Sequence, residues 1–154
     1  MPSSPQPQSS AARPGISTSI ALSVIASQAQ QPVDAVLRRH GLNLRKYGAL
    51  RHISASPGVS FSELARRFDI TVQSMHTLVA ALITADLLES AIPNPGEAAE
   101  LSITEAGRSL LAQLATDIAA IDAELFGEAA SPEWRALGEA VTRVTMAELY
   151  SSRD

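Results

Sequence analysis

The amino-acid sequence predicts a mainly α-helical domain carrying one small β-hairpin, and three observations lead there. Apolar residues recur at steps of three and four along most of the chain, as in Leu111, Leu114, Ile118, Ile121 and Leu125, which is the period of an amphipathic helix. Residues of cap-forming type stand at the heads of most of these runs. A single stretch, residues 87–103, drops the helical period for two strand-like pieces about a cluster of turn formers. With 154 residues, 45% of them apolar and 18% charged, the chain can build one core but not two.

Residues 1–15 hold Pro2, Pro5, Pro7 and Pro14 among Ser and Gln, and such a segment buries too little apolar area to offset its ordering entropy, so a disordered tail is expected. From 16 to 40 the pattern is helical, with Ile16, Ile20 and Val24 on one stripe. Pro32 lacks an amide donor and is expected to break or kink this run near Gln30–Gln31, after which Val33, Val36 and Leu37 carry the stripe on to Gly41. Asn43 then caps a helix bearing Leu44, Tyr47, Leu50 and Ile53, which Pro57-Gly58 ends with a turn. Ser60-Phe61-Ser62-Glu63 has the spacing of a capping box, opening a short helix over 62–68. Asp69-Ile70 makes a tight connection, and Thr71 caps a second helix whose Met75, Leu78, Val79 and Leu82 follow the i, i+3, i+4, i+7 pattern. Two helices so joined form a helix-turn-helix.

The hairpin, or wing, follows from Leu87–Ile92 and Glu100–Ile103 about Pro93-Asn94-Pro95-Gly96. Thr104-Glu105 opens a long helix that ends at Gly127. Ser131-Pro132-Glu133 then supplies a cap, a proline at the first helical position and a carboxylate at the positive end of the helix dipole. In this last helix Trp134, Leu137, Val141 and Val144 step by three and four, and the stripe then passes from Glu148 to its neighbours Ala147 and Leu149. An extended helix without a lobe of its own must bury such a stripe against something, and a partner subunit is the natural place. The expected organisation is therefore a tail over 1–15 and one domain over 16–150. Within that domain, helical stretches at 16–40 and 104–150 flank a winged helix-turn-helix lobe at 43–103.

Charge sharpens the reading. The total is −4, yet residues 33–82 hold seven Lys and Arg against three carboxylates, a net +4, whereas residues 83–154 hold four Arg against thirteen carboxylates, a net −9. Such asymmetry points to polyanion binding by one half. The absence of cysteine removes disulfides, thiol nucleophiles and thiolate zinc sites. His40, His52 and His76 lack the i, i+4 spacing of a helical metal pair, so neither metal nor cofactor is expected. No nucleophile–base spacing or phosphate loop appears, which argues against an enzyme. No apolar run of membrane-spanning length exists, and the weakly signal-like Ile16–Ala26 segment is interrupted by Ser17, Thr18, Ser19 and Ser23, so a cytoplasmic protein is expected.

The stretches Gly41-Leu42-Asn43-Leu44, Ser60-Phe61-Ser62-Glu63-Leu64-Ala65-Arg66-Arg67-Phe68, Ile70-Thr71-Val72-Gln73-Ser74-Met75, Leu78-Val79-Ala80-Ala81-Leu82 and Leu101-Ser102-Ile103-Thr104-Glu105-Ala106-Gly107 stand in that order over about residues 16–150. In these the chain resembles the multiple-antibiotic-resistance regulator (MarR) family of winged-helix transcription factors. The resemblance implies a homodimer clamped by its terminal dimerisation helices, 16–40 and 104–150, on an inverted-repeat operator in double-stranded DNA, with one recognition helix in each major groove. It also implies, in many relatives, a small aromatic effector that relieves repression. The sequence departs from the family where the wing tip reads Asn94-Pro95-Gly96-Glu97-Ala98-Ala99-Glu100, without the usual arginine, and a carboxylate there repels phosphate. Ser90, Thr77 and Ala81 stand where arginine is common, and Asp86 where glycine closes the recognition helix.

On that helix the outward face presents Gln73, Thr77, Ala80 and Thr84, flanked by Ser74 and His76, and Gln73 has the chemistry to take an adenine edge. Arg45, Lys46, Arg66 and Arg67 suit phosphates that fix register. Thr71 and the wing's Asn94 complete the DNA-contacting set. Arg38 and Arg39 are explained by the helix dipole at their C-terminal turn. Tyr47, His52 and Trp134 are the ligand candidates the family habit suggests, with core or interface packing as the plainer role. A DNA-binding repressor is the leading expectation. A winged-helix module that has lost DNA binding and pairs with a protein is the rival.

Overall fold

The computed structural model describes residues 15–91 and 99–151, with side chains through Glu148. Residues 1–14 of the tail expected over 1–15, and the wing-tip residues, Asn94 among them, lie outside the described residues. The elements are α1 (Thr18–Arg39), α2 (Leu44–Ala55), α3 (Phe61–Arg67), α4 (Val72–Thr84), β1 (Leu88–Ala91), β2 (Glu100–Ile103), α5 (Glu105–Phe126) and α6 (Pro132–Ser151). The chain divides into two compact units, residues 1–31 and 32–154. In the first, the described part is residues 15–31, where Ile16 just ahead of α1 and Ile20, Leu22 and Val24 within it are exposed.

Pro32 does not break α1, which runs unbroken from Thr18 to Arg39 with the proline inside it. The missing donor costs one rung of the i→i−4 ladder, and the rungs on either side carry the helix through. The caps are where the sequence places them. Asn43 Oδ1 accepts from the Lys46 amide at 2.9 Å, Thr71 Oγ1 from the Ser74 amide at 3.1 Å and Thr104 Oγ1 from the Gly107 amide at 3.0 Å. Ser60 Oγ likewise accepts from the Glu63 amide at 3.2 Å. The return half of the expected capping box is replaced, because the Glu63 carboxylate turns to Arg66 and Arg67, and charge-assisted bonds to two guanidiniums outweigh one to a neutral amide.

Three helices end in the same way. Gly41, Asp69 and Asp86 adopt left-handed φ values of 69°, 49° and 59° after α1, α3 and α4. In each case the next residue's amide reaches back five positions, Leu42 to Leu37, Ile70 to Ala65 and Leu87 to Leu82, at 3.0–3.1 Å. This closes the orphan carbonyls at the helix end. Aspartate serves at two of these positions because its short polar side chain tolerates the left-handed region better than most residues do.

The core of the second unit gathers Leu37 and Leu42 at the end of α1, Ala49, Leu50 and Ile53 of α2, Leu64 and Ala65 of α3, Met75, Val79 and Leu82 of α4, Leu88, Leu101 and Ile103 of the hairpin, and Leu114 of α5. The strands pair antiparallel with Leu88 opposite Ile103 and Ala91 opposite Glu100. The α2–α3 turn adds to the far side of β2 through a bridge from Val59 to Leu101 and the Gly58 amide, which donates to the Leu101 carbonyl at 3.0 Å. The hairpin is thereby tied to the helix-turn-helix that it flanks.

Candidate nucleic-acid interface

The surface that α4 offers is set by its buried stripe. Met75, Val79 and Leu82 face the core, so Gln73, Thr77, Ala80 and Thr84 are exposed on the opposite side, as read from the period. The Gln73 carboxamide has no hydrogen-bond partner among the described residues. Thr71 and Ser74 share a hydroxyl–hydroxyl bond of 2.8 Å at the start of α4. His76 is already engaged, its ring stacked on Phe61 with centroids 4.0 Å apart and planes 17° from parallel.

A hollow of ≈ 380 Å³ runs between the opening of α2 and α4, lined by Asn43, Arg45, Lys46, Ile70, Ser74, Thr77, Leu78 and Ala81. Four of the candidate contact residues thus share one groove, with hydroxyls on one wall and cations on its lip. Arg45 is exposed there, and the Lys46 ammonium donates to the Gly41 carbonyl at 3.3 Å.

Arg66 and Arg67 are held differently from the free phosphate contacts expected of them. Glu63 Oε2 takes Arg66 at 2.6 Å and 3.1 Å, and Glu63 Oε1 takes Arg67 at 2.7 Å. The hydrogen bonds from Arg66 and then Arg67 hold the Glu63 carboxyl below its ordinary range. Arg67 also meets the His52 ring nitrogen. The i, i+3, i+4 spacing of Glu63, Arg66 and Arg67 is the signal that could have revealed this clamp.

The three ligand candidates are not gathered at one place. Tyr47 lines a hollow of ≈ 310 Å³ between α2 and α5 with Arg51, Ser54, Ala55, Leu111 and Ala115. The Arg51 guanidinium lies 6.0 Å from the Tyr47 ring centre. His52 packs edge-on against Phe68 instead, and Trp134 of α6 packs against Phe126 of α5 with ring centres 5.6 Å apart. Among the described residues no group of three or more His, Asp or Glu is set to hold a metal, and no helix is long and apolar enough to cross a membrane.

A sequence profile of the MarR family matches residues 40–98, the helix-turn-helix and the first strand. The HTH-type transcriptional repressor Rv2887 of Mycobacterium tuberculosis is 33% identical over 104 residues, which are 67% of this chain and 75% of that protein. The chain belongs to the MarR family. Among solved structures, that of the M. tuberculosis MarR family protein Rv2887 in complex with DNA superposes with a TM-score of 0.66 at 26% identity, covering 84% of this chain and 98% of the other. The complex of the same protein with salicylic acid gives a TM-score of 0.64 at 26% identity, over 85% and 98% of the two chains. MarR itself, at 19% identity, shares the fold with a TM-score of 0.70 over 94% of this chain and 98% of its own. As a MarR-family chain this protein has a mostly helical fold with a winged helix-turn-helix lobe, as its motifs led one to expect.

Proposed function

We propose that this chain is a sequence-specific DNA-binding transcription regulator, a repressor that acts as a homodimer on an inverted-repeat operator. The observation that carries this is the juxtaposition at α4: an exposed polar face, its Gln73 carboxamide unengaged, beside a groove that Arg45, Lys46, Ser74 and Thr77 share. A helix so presented enters the major groove and reads base edges, while the cations on the groove lip take phosphates. The DNA-bound and salicylate-bound structures of the mycobacterial relative support both the DNA and a small aromatic acid as effector. The hollow beside Tyr47, with Leu111 and Ala115 on one side and Arg51 at hand for a carboxylate, is the recess that suits such a molecule. In this reading the protein works in the cytoplasm, beside the DNA it controls, and catalyses nothing.

The test is a titration of the purified chain against a fluorescent duplex carrying its own promoter region, at two salt concentrations and beside a scrambled duplex. Affinity that prefers the native duplex and falls steeply with salt is expected, because neutralised phosphates release counterions. Gln73→Ala should cost about 1–3 kcal/mol of binding and relax the sequence preference. Binding to neither duplex would favour the rival, a protein-pairing module, for which the clamping of Arg66 and Arg67 by Glu63 is the supporting feature.

A further inference from the structure

Intrachain hydrogen bonds decide what the outer stripe of α4 can show to a base. Thr77 Oγ1 donates to the Gln73 carbonyl at 3.2 Å, and Thr84 Oγ1 donates to the Ala80 carbonyl at 2.9 Å. Both hydroxyl protons are therefore committed to the helix's own backbone, so neither threonine has a donor left for a base, and each offers its γ-methyl beside an oxygen that can only accept. Ala80, exposed between them, offers a methyl and nothing else. The Gln73 carboxamide is the one free donor–acceptor pair on the stripe. Neither Lys nor Arg occurs anywhere in Val72–Thr84, and no carboxylate does either.

These groups match one kind of base pair. Guanine is read in the major groove chiefly by Arg or Lys at O6 and N7, and cytosine offers its amino group to a carboxylate, so this helix lacks the usual readers of a G·C pair. Adenine presents an acceptor and a donor that a carboxamide meets in bidentate fashion, and thymine presents a C5-methyl that packs on an apolar side chain. We propose that α4 reads consecutive A·T pairs, the Gln73 amide taking an adenine edge and the methyls of Thr77 and Ala80 packing on thymine C5-methyls. This names the ligand of the site and rests on the DNA-binding reading above.

The experiment selects binding sites for the full chain from a randomised duplex library, then rebuilds the enriched duplex with deoxyuridine for thymine, one position at a time. Each such exchange deletes a single methyl. A·T pairs are expected in the core of each half-site, and losing a contacted methyl should lower affinity about fourfold, the transfer free energy of one buried methyl group. Two variants assign the contact. Thr77→Val keeps the methyl without the hydroxyl and should keep the loss of about fourfold on deoxyuridine exchange at the contacted position. Thr77→Ser keeps the hydroxyl without the methyl, and should lose the same factor of about four and become indifferent to deoxyuridine at the contacted position. Thr77 is exposed, so circular dichroism should find both variants as helical as the parent. A half-site core of G·C pairs, indifference to deoxyuridine at every thymine, or Thr77→Val becoming as indifferent to deoxyuridine at the contacted position as Thr77→Ser would each overturn the proposal. Enrichment of no sequence at all would instead overturn the DNA-binding reading, and the A·T assignment with it.

Discussion

His52 shows how one residue's surroundings set a pH response. It is half-buried on α2, with the Phe68 ring edge-on at 6.2 Å and the Arg67 guanidinium on its ring nitrogen. Burial first and the charge of Arg67 second hold its pKa below the ordinary imidazole value, with Glu63 pulling the other way. The folded chain therefore binds this proton less readily than the unfolded one. Stability contributed here is fully present above the unfolded value of 6.5 and is lost as pH falls from there through the lowered folded value. Denaturant midpoints measured through this window should decline with falling pH, and His52→Gln should flatten the decline. An unchanged slope in that variant would mean that another group titrates. Glu63 follows the same sign at lower pH, since its folded pKa is also depressed.

At the scale of elements, the junction of α4, the hairpin and α5 depends on an absent side chain. Gly107, in the first turn of α5, is buried where a Cβ would collide with the Leu87 carbonyl and lie 2.7 Å from Ile103 Cγ1. The Leu87 carbonyl is itself fixed, since it accepts from the Thr104 amide at 3.2 Å. Gly107→Ala gains helix propensity worth up to about 1 kcal/mol. Forcing the backbone apart should cost more, leaving a net loss of about 1–3 kcal/mol, visible as a lower midpoint in thermal or denaturant melts. Much of this junction is legible in the sequence, because caps are local chemistry: Asn43, Thr71 and Thr104 can be read from their own side chains and the apolar period that follows them. The outward face of α4 is equally legible, because it is fixed by the buried stripe. Pro32 does not end the helix because one lost rung is weighed against a whole helix, a balance that local residues do not display. The partners of Glu63, His52 and His76 are set by competition among side chains, and two of those three involve elements distant in sequence. The scatter of Tyr47, His52 and Trp134 over separate surroundings is a matter of tertiary packing, which single-residue chemistry does not reveal.

For the whole molecule, the decisive feature is an apolar stripe that outruns the protomer. Trp134 and Leu137 are half-buried against the chain's own residues, and Gly138 lets α6 close on Phe126, but Val141 and Val144, next on the same stripe, are 51% and 62% exposed. Apolar side chains aligned on a regular helix face and left in water favour association. In a two-fold interface each residue counts twice, and each buried valine is worth about 1.5–3 kcal/mol. Val144→Glu should therefore raise the dimer dissociation constant by well over about tenfold while the helical signal persists, as sedimentation and circular dichroism would record. A dimer as tight as the parent's would place the interface elsewhere.

If the chain acts as the homodimer proposed above, the same stripe would govern how the cell's supply of this protein translates into control. With two chains needed for an operator and the protomer folded on its own core, the active species grows as the square of total concentration below the dissociation constant. Halving the amount of chain would then cut the dimer about fourfold, so modest changes in synthesis or turnover would be felt as a steep response at the promoter.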